Sequence, residues 1–326
     1  MKKKVAIFGS TGSIGTQALE VIKSQSEFFE ISFLVAKKNV TILEKQIEEF
    51  HCGGLLIENQ PETTKKKIND IINFSNIIII AIPSEEAVYP TIQALKMGKK
   101  VLLASKEALI AEGEKIMAIK SGQLLPIDSE LVALWQCLNG KNIKDVEKII
   151  LTASGGPFFG KKKKDLEHVS LKEVLNHPTW KNMGKEITVN SATLMNKGFE
   201  VIEAHHFFGI PYEKIEVLIH PQSLVHGIVI FKDGNTIMHV AKNDMKLFIS
   251  WALNYPKVQK NIFEKINLVG KKLDFFEADH ETFPALKLAY KAGQKGDKAT
   301  KKLLRKNKEN VRKFLEGKKK FVEILN

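Results

Sequence analysis

Through the first 127 residues, short apolar runs alternate with segments whose apolar positions recur at helical spacing. Strand-like runs fall at 5–8, 31–36, 54–57, 77–82, 101–104 and 124–127, and helical spacing falls at 16–24, 40–50, 91–97 and 108–120. Leu43, Ile47 and Phe50, for example, share one helix face. The run at 77–82 is almost unbroken and β-branched, as a parallel strand covered on both faces requires. Repeated strand–helix units predict an α/β fold whose residues 1–127 form a doubly wound, Rossmann-like parallel sheet.

Past residue 127 the pattern changes. Strand-like runs at 146–152, 216–219, 226–231 and 236–240 mix with helical spacing at 193–208 and 243–254, and Asp233-Gly234-Asn235 marks a hairpin turn. This predicts an α+β domain over 128–256, a linker over 257–282 and a small lysine-rich helical domain over 283–326.

Composition narrows the setting. Hydrophobic residues make up 44% and charged residues 27%, ordinary for a protein with packed cores. Cys52 and Cys137 show no disulfide or zinc-ligand pattern, which fits a reducing compartment. The longest apolar run is far shorter than a membrane span, and no secretory pattern opens the chain, so a cytoplasmic protein without a membrane partner is expected. The formal charge of +13 raises nucleic-acid binding as a reading. Its lysines, concentrated at 161–164 and in the tail, have no interleaved aromatics and read as solvated residues, so no nucleic-acid partner is expected.

Three groups of residues carry chemistry. Gly9-Ser10-Thr11-Gly12-Ser13-Ile14-Gly15 joins the first strand to the first helix, where glycines let backbone N–H groups approach a pyrophosphate. The second strand ends in Lys37-Lys38-Asn39 with no acid, which suits a 2′-phosphate and hence NADP, or equally two solvated lysines. Asp128 and Glu130 follow a parallel strand and would point to one side if the backbone stayed extended. With Glu200 they suit a hard cation such as Mg²⁺ or Mn²⁺, and equally a solvated loop, a helix cap and a surface residue. Ser154, Ser191, Asn196 and Lys197 suit a phosphate, and equally caps and solvated helix positions. Trp180, in the loop His177-Pro178-Thr179-Trp180, suits either a lid or a core position.

Taken together, these segments resemble one family. Gly9-Ser-Thr-Gly-Ser-Ile-Gly15, Ala104-Ser-Lys-Glu107, Pro126-Ile-Asp-Ser-Glu130, Thr152-Ala-Ser-Gly-Gly-Pro-Phe158, His177-Pro-Thr-Trp180, Ser191-Ala-Thr-Leu-Met-Asn-Lys-Gly198, Glu200 and Ile219-His-Pro-Gln-Ser-Leu-Val-His226 are similar, in order, to 1-deoxy-D-xylulose 5-phosphate reductoisomerases. The resemblance implies an NADPH-dependent homodimer acting on a small phosphorylated sugar. It places Thr11, Gly12, Ser13 and Ile14 at the pyrophosphate, Lys37, Lys38 and Asn39 by the 2′-phosphate, and Ser105, Glu107, Gly184 and Met245 at the cofactor. Asp128, Glu130 and Glu200 would bind Mg²⁺ or Mn²⁺. Lys106, Ser129 and Glu130 would meet the reacting part of the substrate, and Ser154, Ser191, Asn196 and Lys197 its phosphate, with His177 nearby. Trp180 and Met183 would form the lid, and Lys106, Glu130, His177 and His226 would serve catalysis. The implied reaction is rearrangement of the carbon skeleton by retro-aldol cleavage and re-addition. Hydride reduction of 2-C-methyl-D-erythrose 4-phosphate to 2-C-methyl-D-erythritol 4-phosphate follows.

The chain departs from the family at named positions. Lys37 stands for a usual glycine, Ser105 for asparagine, Leu131 for histidine and Asn190 for aspartate, and the lid Trp180-Lys-Asn-Met183 is one residue longer. The segment Leu304-Arg-Lys-Asn-Lys-Glu-Asn310 replaces the family's Leu-Asn-Ala-Ala-Asn-Glu. A lysine would be strained at 37 if the site needs positive φ. Two other readings remain at this stage: another dehydrogenase, such as one acting on homoserine or a semialdehyde, and a degenerate paralogue with a basic binding surface.

Overall fold

The protein was analysed as a computed structural model, which describes residues 1–57, 61–179, 184–259 and 263–325. Two compact units emerge: Met1–Val132 with Asp244–Glu264, and Ala133–Asn243 with Lys265–Asn326. The first break between the units falls after Val132, within a helix. Residues 244–256, expected with the second domain, return to the first unit.

The first unit alternates strand and helix: β1 (Lys3–Phe8), α1 (Ser13–Ser24), β2 (Phe29–Ala36), α2 (Val40–Phe50), β3 (Gly53–Leu56), α3 (Pro61–Phe74), β4 (Ile77–Ile80), α4 (Val88–Lys96), β5 (Lys100–Leu103), α5 (Lys106–Met117), β6 (Gln123–Pro126) and α6 (Ser129–Leu138), which crosses the unit boundary. The strands form a parallel sheet in the order β3-β2-β1-β4-β5-β6, the doubly wound order expected from the pattern. All four isoleucines of β4 are buried, because helices cover both faces of a parallel sheet.

The second unit is mixed: β7 (Val146–Ala153), α7 (Leu171–Val174), α8 (Lys185–Ala192), α9 (Met195–Phe208), β8 (Ile215–Ile219), β9 (Val225–Phe231) and β10 (Thr236–Val240). The chain then passes through α10 (Met245–Asn254) in the first unit and comes back with β11 (Phe276–Glu277), α11 (Ala285–Gly293) and α12 (Asp297–Leu315). Its sheet runs β10-β9-β7-β8-β11, with β7 and β8 parallel and the other pairs antiparallel. Asp233 and Gly234 (φ +85°) turn β9 into β10, as their sequence predicts.

Helix α10 is fastened to the first unit by polar ties. Gln25 donates to the Ser250 hydroxyl at 2.8 Å and accepts from the Asn254 amide at 2.9 Å. The Lys100 ammonium donates to the carbonyls of Leu253 and Tyr255, filling acceptors that the end of a helix leaves open. Met245 is thereby held, as the first residue of α10, on the unit that carries the glycine loop.

Candidate active site

The glycine loop between β1 and α1 is shaped by steric exclusion. Gly9 has φ +92°, and a Cβ there would lie 2.4 Å from the Ala81 carbonyl oxygen; one on Gly15 would lie 2.3 Å from the Gly9 carbonyl oxygen. Gly12 is the N-cap of α1 and supplies no side-chain cap, so the helix turns backbone, not a side chain, toward an incoming anion. Gly12 and Ser13 are exposed, with Thr11 and Ile14 half-buried beside them. Buried Gln46 donates to the Ser10 carbonyl at 3.1 Å and supports the loop. Its place among the apolar positions of α2 was the available signal for this role.

At the end of β2, Lys37, Lys38 and Asn39 are all exposed. Lys37 is not among the described non-glycine residues with positive φ, which are His51, Leu194 and Ser223, so the strain expected of a lysine there does not arise. Its ammonium pairs with Glu86 at 2.5 Å, a partner the sequence reading missed. Ser105 is buried and donates to the Ile80 carbonyl at 3.2 Å, joining the ends of β4 and β5, while Glu107 lies in the first turn of α5.

Asp128 and Glu130 approach each other by a route other than the extended backbone expected. Helix α6 starts at Ser129, and Asp128 caps it: Oδ1 accepts from the Glu130 and Leu131 backbone amides at 3.1 and 3.2 Å. The other oxygen, Oδ2, accepts from the Lys106 ammonium at the start of α5. Glu130 accepts from the Ser129 hydroxyl at 2.6 Å, and carboxylate oxygens of Asp128 and Glu130 lie within 4.8 Å of each other. Capping thus concentrates negative charge at a helix N-terminus, where the helix dipole tolerates it. An all-oxygen, doubly anionic pair suits a hard divalent cation.

In the second unit, the helix expected over 193–208 forms as α9, starting at Met195. Leu194 adopts φ +61° and separates α8 from α9, setting the direction in which the first turn of α9 projects Asn196 and Lys197. Buried Glu200 accepts from the Asn196 amide at 2.5 Å and from the Lys197 ammonium. Gly184 is the exposed N-cap of α8. Near it in sequence, His177 joins two expected phosphate ligands: its Nε2 lies 2.9 Å from the Ser191 hydroxyl and 3.2 Å from that of Ser154. The Thr179 backbone N–H donates to Nδ1, which leaves the ring hydrogen on Nε2. Burial pushes the His177 pKa down to about 4, so the ring is a neutral donor near pH 7. Ser154 in turn accepts from the Gly156 amide at 3.2 Å. His226 is buried on β9 with Nε2 3.3 Å from the Ala241 carbonyl. Trp180 and Met183, expected in the lid, lie outside the described residues.

Comparison with known proteins decides what this arrangement belongs to. The family model for 1-deoxy-D-xylulose 5-phosphate reductoisomerase matches residues 5–73 and 65–113, that of its C-terminal domain matches 124–208, and that of the DXP reductoisomerase C-terminal domain matches 240–326. The chain belongs to the 1-deoxy-D-xylulose 5-phosphate reductoisomerase family. It is 43% identical to the reductoisomerase of Caldanaerobacter subterraneus subsp. tengcongensis, over 99% of this chain and 90% of that one, and 43% identical to that of Thermodesulfovibrio yellowstonii with the same coverage. The reductoisomerase of Zymomonas mobilis in complex with NADPH superposes with a TM-score of 0.91 at 30% identity, covering 100% of this chain and 90% of the other. A DOX-P reductoisomerase in complex with NADPH, fosmidomycin and magnesium gives 0.92 at 32% identity, covering 99% and 87%.

Within the reductoisomerase family, two of this chain's departures acquire a structural account. Leu131 is 0% exposed and fills apolar core, so in place of a polar group this chain has packing. Asn190 accepts from the buried Asn307 amide of α12 at 2.8 Å, which ties the altered C-terminal segment to the residue before Ser191.

Proposed function

We propose that the chain converts 1-deoxy-D-xylulose 5-phosphate to 2-C-methyl-D-erythritol 4-phosphate with NADPH and a divalent cation, as a step of the non-mevalonate isoprenoid pathway. The observation that carries this reading is 43% identity to reductoisomerases over 99% of the chain. When bound, NADPH supplies the hydride and Mg²⁺ or Mn²⁺ polarises substrate oxygens. Asp128, Glu130 and Glu200 are the residues we assign to the cation, their carboxylates being the oxygen donors it prefers. The glycine loop and the backbone of Thr11, Gly12, Ser13 and Ile14 receive the pyrophosphate; Lys37, Lys38 and Asn39 receive the 2′-phosphate.

Lys106, held on Asp128, orients the reacting end of the substrate with Ser129 and Glu130 and carries a proton there. Neutral His177 donates from Nε2 into the phosphate pocket, beside the hydroxyls of Ser154 and Ser191. Asn196 and Lys197 complete that pocket, and the phosphate binding energy holds the substrate. Ser105, Glu107, Gly184 and Met245 line the cofactor, and His226 supports the site from β9. The working form is a cytoplasmic homodimer; among the described residues no helix is long and apolar enough to cross a membrane.

The test is NADPH oxidation by purified protein given 1-deoxy-D-xylulose 5-phosphate, with and without Mg²⁺ or Mn²⁺. Oxidation that requires both sugar and metal, and that runs faster with NADPH than with NADH, is expected. Folded protein that oxidises nothing under either metal would sink the reading.

A further inference from the structure

In the first sheet β1 lies between β2 and β4. Phe8, the last residue of β1, pairs with Val35 on one side and Ile80 on the other, and the glycine loop begins at the next residue. Lys37 leaves the carboxyl end of β2, and Glu86 lies in the short helical turn Glu85–Ala87 that follows β4. Their ion pair, 2.5 Å from Nζ to Oε1, therefore crosses from one neighbour of β1 to the other, at the switch point where doubly wound sheets take nucleotides. The side chains are 45% and 51% exposed, so the pair is an outer strap. An exposed pair of this kind is weakly held, because water screens it and two long side chains must be ordered to make it. A phosphate oxygen is a stronger partner for an ammonium than a solvated carboxylate is, since it brings more charge.

We propose that the Lys37–Glu86 pair is a displaceable strap over the nucleotide crevice, in which Lys37 favours a 2′-phosphorylated cofactor and Glu86 moderates that preference. The inference rests on the NADPH reading above and adds Glu86 to it. A 2′-phosphate takes the place of the Glu86 carboxylate on Lys37 and opens the strap. A 2′-hydroxyl offers no charge to exchange, so it leaves the pair in place and neither gains nor loses by it. Glu86 opposes the phosphate twice, by occupying Lys37 and by adding a like charge.

The experiment measures dissociation constants of NADPH and NADH by titration of the full chain without sugar, so no turnover is needed. For Lys37→Met, the NADPH constant is expected to rise about tenfold, the loss of one charge-assisted contact, while that of NADH changes less than about twofold. For Glu86→Gln, NADPH is expected to bind several-fold more tightly and NADH as before. Both positions are exposed, and circular dichroism checks that the variants remain folded. An equal loss for both cofactors in Lys37→Met, or an unchanged NADPH constant in Glu86→Gln, overturns the strap. Wild-type protein that binds neither cofactor overturns the NADPH reading itself, an outcome distinct from any variant effect.

Discussion

Each unit holds a lysine–carboxylate pair, and the two pairs are built differently. In the first unit, Lys106 and Asp128 stand at the starts of successive helices, with side chains 17% and 12% exposed. Asp128 also takes two backbone amides, so it has support beyond its ammonium. In the second unit, Lys197 and Glu200 are three residues apart on α9, with side chains 6% and 1% exposed. Water reaches the first pair and can compensate a lost partner. The second pair is desolvated, and each charge depends far more on the other. A lysine on a shared helix is also fixed in reach, whereas Lys106 meets Asp128 only because β5 and β6 are neighbours.

The contrast predicts graded losses. Lys197→Met leaves a buried carboxylate with only the Asn196 amide of its two described donors, and is expected to lower unfolding free energy by about 3–5 kcal/mol in urea titration. Adding Glu200→Gln should restore part of that stability without restoring turnover. Lys106→Met is expected to cost about 1 kcal/mol or less in the same titration, yet to reduce kcat by about 10²–10⁴-fold. Equal stability losses in the two variants would break the comparison.

The last effect concerns pH. Burial holds the His177 pKa near 4, below its ordinary 6.5, so between these values the unfolded chain binds a proton that the folded chain refuses. The stability this group contributes is complete above pH 6.5 and is lost as pH falls through 4. His206, pushed down to about 4 by its own burial, acts in the same direction. Urea unfolding across this window should therefore show a shallower acid loss in His177→Asn than in wild type, with the remainder left by His206. An unchanged slope would mean that His177 is hydrated and that the second unit is less dry than its exposures indicate.

The first sheet was legible because strands buried on both faces read as unbroken apolar runs, β4 above all. Helix α3 escaped notice: its buried positions, Ile68, Ile71 and Ile72, come late in a polar segment. Helix α8 also escaped, and the left-handed Leu194 that separates it from α9 carries no mark in the sequence. At the site, the types and order of Asp128, Glu130, Ser154, His177, Ser191 and Glu200 were enough to point to one family. That Asp128 is a helix cap was open from spacing alone, because cap and extended backbone place the same residues in the same order. The return of α10 to the first unit was hidden for a related reason: an amphipathic helix shows an apolar face without showing what covers it.

By itself, then, the sequence determined the dinucleotide fold, the family and the kinds of side chain available for chemistry, since glycine loops, apolar runs and motif order are local properties. Only the tertiary structure decided which charges meet and how dry they are. Lys37 finds Glu86 from 49 positions away, Lys106 finds Asp128 across two strands, and His177 is made a neutral donor by burial and by the Thr179 amide. Partnership and desolvation depend on where packing brings distant segments, and no short stretch of chain contains that information.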